Sequence, residues 1–221
     1  MTTNESPRRG RGNRAGLDRD QIVAAARGIE PAALTMQRVA DALGVDRKAL
    51  NHHVTDRESL LELLALDAFR RRFERAEADL GATWQDACRG YAAALIESII
   101  DTGEWIGYLR FASPGDLAII APAETVAERL RGAGFGVIAT SRGMHLLTSI
   151  CQGFARDAIR AGWSSDDPQV ARLRLALAQT TAGYPVLREL VEARIDNHGA
   201  DQLRFDLDAF IAAMEHVLRS E

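Results

Sequence analysis

The sequence predicts an all-α fold, and three observations carry that prediction. Apolar residues recur at intervals of three and four along most of the chain. The two-residue alternation of a half-buried strand is absent, and glycine or proline closes most of the periodic stretches.

Taken in order, residues 1–16 are polar, rich in Gly and Arg, and offer nothing to bury, so a disordered basic arm is expected there. Arg8, Arg9, Arg11 and Arg14 could reach a minor groove or phosphates, or serve only as a solubilising tail. A first helix is expected from Asp18 to Ile29, stopped by Pro31. A second begins behind Thr35 as N-cap, turns Met36, Val39, Ala40 and Leu43 to one side, and closes at Gly44. Asp46 caps a third, with Val45, Ala49, Leu50 and Val54 inward and Arg47, Lys48, Asn51 and His52 on the opposite face. A fourth is expected from Asp56 to Leu80, a rigid connector carrying Leu60, Leu61, Leu64, Phe69 and Phe73.

Beyond Gly81 the pattern stays helical. Helices are expected over Trp84–Asp101 and Glu104–Ala112, then a break at Ser113, Pro114 and Gly115, then a helix over Ala123–Ala133. A long helix follows over Val137–Ala161, ended by Gly162. Further helices are expected over Asp167–Ala182, Val186–Asp196 and Asp201–Arg219.

Length and composition bound the function classes. A chain of 221 residues can form one large domain or two modest ones, and 47% hydrophobic with 26% charged residues describes a globular protein. The net charge of -4 is unevenly placed: residues 1–60 hold ten Arg and Lys against eight Asp and Glu, whereas the remainder holds 17 against 23. Only the N-terminal part suits a polyanion. Cys88 and Cys151 have no metal-ligand or redox spacing, so buried free thiols are expected rather than a disulfide. No apolar run is long enough for a membrane span and the N-terminus lacks the apolar region of a secretion signal, so a cytoplasmic location is expected.

The stretch Thr35–Leu60 is where spacing and side-chain chemistry meet. Its outer face is made of donors that suit base edges and phosphates, and a helix is about the width of the major groove. Spacing alone leaves two readings open, a helix-turn-helix whose second helix reads DNA and an ordinary helical hairpin with a solvated face.

With these residues in view, the order helix, TMQRVADALGV, short polar-faced helix, HV-T-D-R-E-x-L-L and long helical remainder resembles the TetR family of bacterial repressors. The resemblance is most specific over Leu17–Leu64, at Thr35, Val39, Ala40, Leu43, Gly44, Val45, Leu50, His53, Val54, Arg57 and Leu60. The closing FDLDAFIAAMEHVL looks like the final dimerisation helix of the tetracycline-repressor branch. It implies a DNA-binding domain over 17–60, a ligand-binding and dimerisation domain over 61–221, and a homodimer on a palindromic operator. The helices from Val137 and Asp201 would pair with their symmetry mates. Arg47, Lys48 and His52 become candidate base readers, and Thr35, Gln37, His53 and Arg57 candidate phosphate contacts. The family usually places a tyrosine at position 51, where this chain has Asn51, so that contact is lost or becomes a base contact.

A small-molecule effector is implied in the C-terminal domain, acting through the Asp56–Leu80 helix to release the operator. Large or polar side chains near the middle of the C-terminal helices are its candidate contacts: Phe69, Trp105, Tyr108, Phe111, Met144, His145, Thr148, Cys151, Gln152 and Gln179. The segment Trp105–Phe111 is the expected lid, and an apolar, aromatic effector is expected because no charged cluster converges there. No cofactor or metal is expected, since the five histidines form no metal-binding spacing. Catalysis is not expected either: GAGFG lacks a preceding strand, and no serine or cysteine has an activating neighbour in sequence. The alternative class is a helical ligand-sensing or interaction module without specific DNA binding.

Overall fold

The computed structural model describes residues 17–76, 80–111, 114–161, 168–180 and 183–220. The expected arm 1–16 lies outside them, as do residues 77–79, Ser113 and Gly162. Among the described residues every regular element is an α-helix or a 3-10 turn. The chain divides into two compact units, Met1–Leu64 and Ala65–Glu221.

The first unit is built by helix ends as much as by helices. Helix α1 is Arg19–Arg27, and its Asp18 cap is reciprocal. The Asp18 carboxylate accepts from the Gln21 amide at 2.8 Å, while the Gln21 side chain accepts from the Asp18 amide at 3.2 Å. It ends at Gly28, before the expected Ile29, and Pro31–Ala33 form a separate 3-10 turn. Helix α2 is Met36–Leu43 and helix α3 is Arg47–Leu50. Gly44 between them sits at φ 64, the left-handed conformation that glycine adopts without a Cβ clash. The Val45 amide then donates back to the Ala40 carbonyl at 3.0 Å and closes α2.

Ile22, Val23 and Ala26 of α1 are buried, with Leu34, Met36, Val39, Ala40, Leu50 and Val54. Leu60, Leu61 and Leu64, from the first turns of helix α4 at Arg57–Ala76, complete this unit's buried set. Fully burying an aliphatic side chain of this size contributes roughly 1.5–3 kcal/mol.

In the second unit α4 continues to Ala76 and is followed by α5 (Trp84–Thr102), α6 (Ala121–Gly132), α7 (Val137–Ala161), α8 (Pro168–Gln179), α9 (Pro185–Glu192) and α10 (Ala200–Ser220). Helix α5 is apolar around most of its circumference and buries Ala87, Cys88, Tyr91, Ala92, Leu95, Ile96 and Ile99. Its buried hydroxyls are satisfied locally, Ser98 donating to the Ala94 carbonyl and Thr102 to the Ser98 carbonyl, each at 2.7 Å. Helix α7 packs against α5, α6 and α10. Where α7 meets α10 the Met214 side chain lies over Gly143, with Met214 Cε 2.6 Å from where a Cβ would stand. Trp84 and Phe135 meet edge to face at 5.3 Å.

Cys88 and Cys151 are both free and buried, and burial pushes each thiol up to about 12, so neither is a nucleophile at neutral pH. In unit 2 α9 stops at Glu192, short of the expected Asp196, and two other stretches also differ from the sequence expectation. Residues Gly103–Tyr108 form a 3-10 turn instead of an α-helix to Ala112, and α6 starts at Ala121 after a second 3-10 turn, Pro114–Ile120. Pro122 explains the second, since proline suits a first turn where its missing amide donor has no partner to lose. No helix among the described residues is long and apolar enough to cross a membrane.

Candidate nucleic-acid interface and ligand cavity

The first site lies on unit 1. Thr35 caps α2 by accepting from the Arg38 amide at 3.2 Å, and Asp46 caps α3 by accepting from the Lys48 amide at 2.7 Å. These caps fix where α3 starts and so where Arg47 and Lys48 stand. The regular helix stops at Leu50, short of the expected Val54, and Asn51, His52 and His53 continue as turns. The reason is a tightening of the hydrogen bonds: the His52 and His53 amides donate three residues back, to Ala49 and Leu50. Leu50 and Val54 remain buried and Ala49 and Val45 half-buried, so the inward set keeps its side.

Thr35, Gln37, Arg47, Lys48, Asn51, His52, His53 and Arg57 are all exposed. Some already have intramolecular partners. Gln37 donates to Asp41 at 2.8 Å, and Arg57 donates through Nε to the Leu34 carbonyl at 3.3 Å. The Thr35 hydroxyl keeps its donor for an outside acceptor while its lone pair caps the helix. Asp56 opens α4 by accepting from the Ser59 amide at 2.8 Å, and that bond first of all holds its carboxyl below the usual range.

The second site is a cavity of about 530 Å³ inside unit 2. Its wall comes from α4 (Phe69, Phe73), α5 (Tyr91, Leu95, Ile99), the turn Gly103 to Phe111 (Gly103, Ile106, Leu109, Phe111), Ile120, and α7 (Thr148, Gln152, Arg156, Ile159). Phe69 is 5.0 Å from Phe73 and 6.5 Å from Phe111, and Phe73 is 5.5 Å from Tyr91, so the aromatic rings form a continuous chain. Burial holds the Tyr91 phenol above its ordinary value, and the Thr148 hydroxyl beside it is a smaller, opposing influence. A volume in the range of roughly 300–1,000 Å³ with apolar walls and a few polar groups suits a drug-sized ligand. Among the described residues no cluster of His, Cys, Asp and Glu could hold a metal ion.

No family model matches the chain. Among solved structures, the TetR family protein ActR of Streptomyces coelicolor, in complex with actinorhodin, is similar with a TM-score of 0.72 at 21% identity, over 92% of this chain and 99% of that one. A variant of TetR from Acinetobacter baumannii AYE, in complex with minocycline, is similar with a TM-score of 0.61 at 17% identity, over 91% and 98%. BioQ of Mycobacterium smegmatis gives 0.56 at 23%, over 90% and 97%. The fold is that of the TetR family.

Within this TetR fold, four of the expected effector contacts line the cavity: Phe69, Phe111, Thr148 and Gln152. The other six stand elsewhere. Trp105 and Tyr108 are half-buried in the 3-10 turn, where Ile106 and Leu109 line the cavity in their place. A turn of 3.0 residues carries a different face inward from one of 3.6. Met144 packs on the core, Cys151 is wholly buried, His145 is exposed one turn before Thr148, and Gln179 is exposed on α8. Sequence reasoning did not single out Phe73, Tyr91, Leu95, Ile99, Ile120, Arg156 and Ile159 as contacts, whereas Ile106 and Leu109 fall within the expected lid Trp105–Phe111. Only Arg156 left a usable signal, since it continues the four-residue spacing of Thr148 and Gln152.

Proposed function

We propose that this chain is a ligand-responsive, DNA-binding transcriptional regulator without catalytic activity. It acts as a cytoplasmic repressor that leaves a palindromic operator when a small molecule fills the unit 2 cavity. One observation carries the reading: α4 begins among the residues of the helix-turn-helix unit and supplies Phe69 and Phe73 to the cavity wall. An occupant that displaces those rings acts on a helix shared with the DNA-reading unit. The ligand must favour the DNA-incompetent state, and a coupling of roughly 1–3 kcal/mol changes operator affinity about 5- to 150-fold.

On this reading Arg47, Lys48 and His52 face base edges, whereas Thr35, Gln37, His53 and Arg57 meet phosphates; the exposure of all seven supports it. Domains of 17–60 for DNA and 61–221 for ligand and partner follow. Solved neighbours that hold actinorhodin and minocycline support a small-molecule occupant for the cavity. A homodimer is part of the proposal. Val137, Ile138 and Leu146 on α7 and Phe205 on α10 are exposed, an apolar surface suited to a second copy.

The experiment is a gel shift with the DNA flanking the gene, using wild type and the Arg47→Ala/Lys48→Ala double variant. Wild type is expected to give a specific shift that the double variant loses. An undiminished specific shift from the double variant would refute the assignment of α3 as the reading element. Absence of any shift would favour a sensor without DNA binding.

A further inference from the structure

The cavity has two unlike ends, and the difference defines a class of ligand; this inference rests on the cavity being the effector site. At the inner end Phe73, Tyr91, Leu95 and Ile99 are buried and carry no charge, with Thr148 beside Tyr91. At the outer end Phe111, Ile120 and Ile159 are exposed, and Arg156 stands with them. Arg156 is the one formally charged side chain among the described lining residues.

Thr148, Gln152 and Arg156 succeed one another every four residues on α7, which places hydroxyl, amide and guanidinium in one stripe about 12 Å long at a rise of about 1.5 Å per residue. The lining drawn from α4, α5 and Ile106–Ile120 is aromatic or aliphatic apart from the Tyr91 hydroxyl. Arg156 is only weakly held by the protein. Its Nε lies 3.8 Å from the Asp157 carboxylate, with 62% and 41% of the two side chains exposed.

We propose that the effector is an elongated aromatic acid. Its uncharged ring end packs against Phe73 and Tyr91, acceptor groups along one edge meet Thr148 and Gln152, and its carboxylate stays at the mouth on Arg156. A guanidinium pairs a carboxylate through two parallel donors. A cationic aromatic finds no carboxylate among the described lining residues and meets Arg156 as a like charge; a purely aliphatic chain leaves the α7 stripe unpaired.

The test is calorimetric titration of the full-length protein with anthraquinone-2-carboxylate and its neutral carboxamide, at fixed salt. The carboxylate is expected to bind about five- to tenfold tighter, the scale of a partly exposed charge-assisted pair. Arg156→Gln should bring that ratio to about one, chiefly by weakening the carboxylate, and Arg156→Lys should keep part of it. Gln152→Ala should weaken both probes. Equal binding of the two probes by wild type, a ratio that survives Arg156→Gln, or no binding of either probe would each overturn the proposal. A preserved carboxylate preference with no effect on the operator complex would leave the ligand class standing and remove the release mechanism instead.

Discussion

The first turn of α4 is tied to the residue that precedes the helix-turn-helix: Arg57 Nε donates to the Leu34 carbonyl at 3.3 Å, across 23 positions of sequence. Leu34 is buried and directly precedes Thr35, the cap of α2. Arg57 thus braces the entry to the helix-turn-helix within the unit itself. We predict that Arg57→Ala lowers the urea-unfolding free energy by about 1 kcal/mol, the net worth of one such bond. Unchanged stability with weakened DNA binding would assign Arg57 to phosphate alone.

Asn51 follows the last residue of α3, is exposed, and its amide donates to the Arg47 carbonyl at 3.0 Å. A tyrosine there would extend the side chain without disturbing that backbone bond. Asn51→Tyr is predicted to tighten operator binding by adding one phosphate contact. The contact is a neutral hydrogen bond, so the slope of log affinity against log salt should hardly change, since that slope follows the phosphates neutralised by cations. Filter binding at several salt concentrations reads both quantities.

The cavity offers a way to fix the chain in one state. Leu95 lines its inner part, so Leu95→Trp would occupy space that a ligand needs. Overpacking a full core costs roughly 1–3 kcal/mol, and a pre-existing cavity reduces that. The expected variant folds, binds its operator, and no longer responds to any ligand that releases the wild type.

The buried thiols set an alkaline limit. Cys88 and Cys151 have ordinary values of 9.0 and reach about 12 in the fold, so the folded state holds its protons more tightly than the unfolded chain. The stability this contributes is complete below pH 9 and is lost as pH rises from 9 through 12. Urea midpoints measured from about pH 8 to about pH 11 should fall above 9, and less so in a Cys88→Ala/Cys151→Ala variant compared with its own value at the lower pH. Iodoacetamide at about pH 8 should label both residues only after unfolding.

The helix-turn-helix was legible because local chemistry specifies it. Thr35, Gly44 and Asp46 act through their own backbone neighbourhood, and the structure places all three where their side chains, or the lack of one, dictate. The cavity was legible only in part. Helix α5 buries residues on most of its circumference, and periodicity cannot separate a wall residue such as Ile99 from a core residue such as Ile96. The 3-10 turn at Gly103–Tyr108 added a phase change that an α-helical reading carries wrongly to Trp105 and Tyr108. A void depends on which side chains fail to meet, a non-local property that no window of sequence contains.

Helix α3 has four residues, Arg47 to Leu50, barely one turn. A helix of that length has no stability of its own in water. Its direction in space is therefore borrowed from Leu50 and Val54, which are buried beneath it, and from the Asp46 cap. Substitutions at these hidden positions would re-aim Arg47 and Lys48 without altering either, so preference among DNA sequences could drift through residues that never touch a nucleotide.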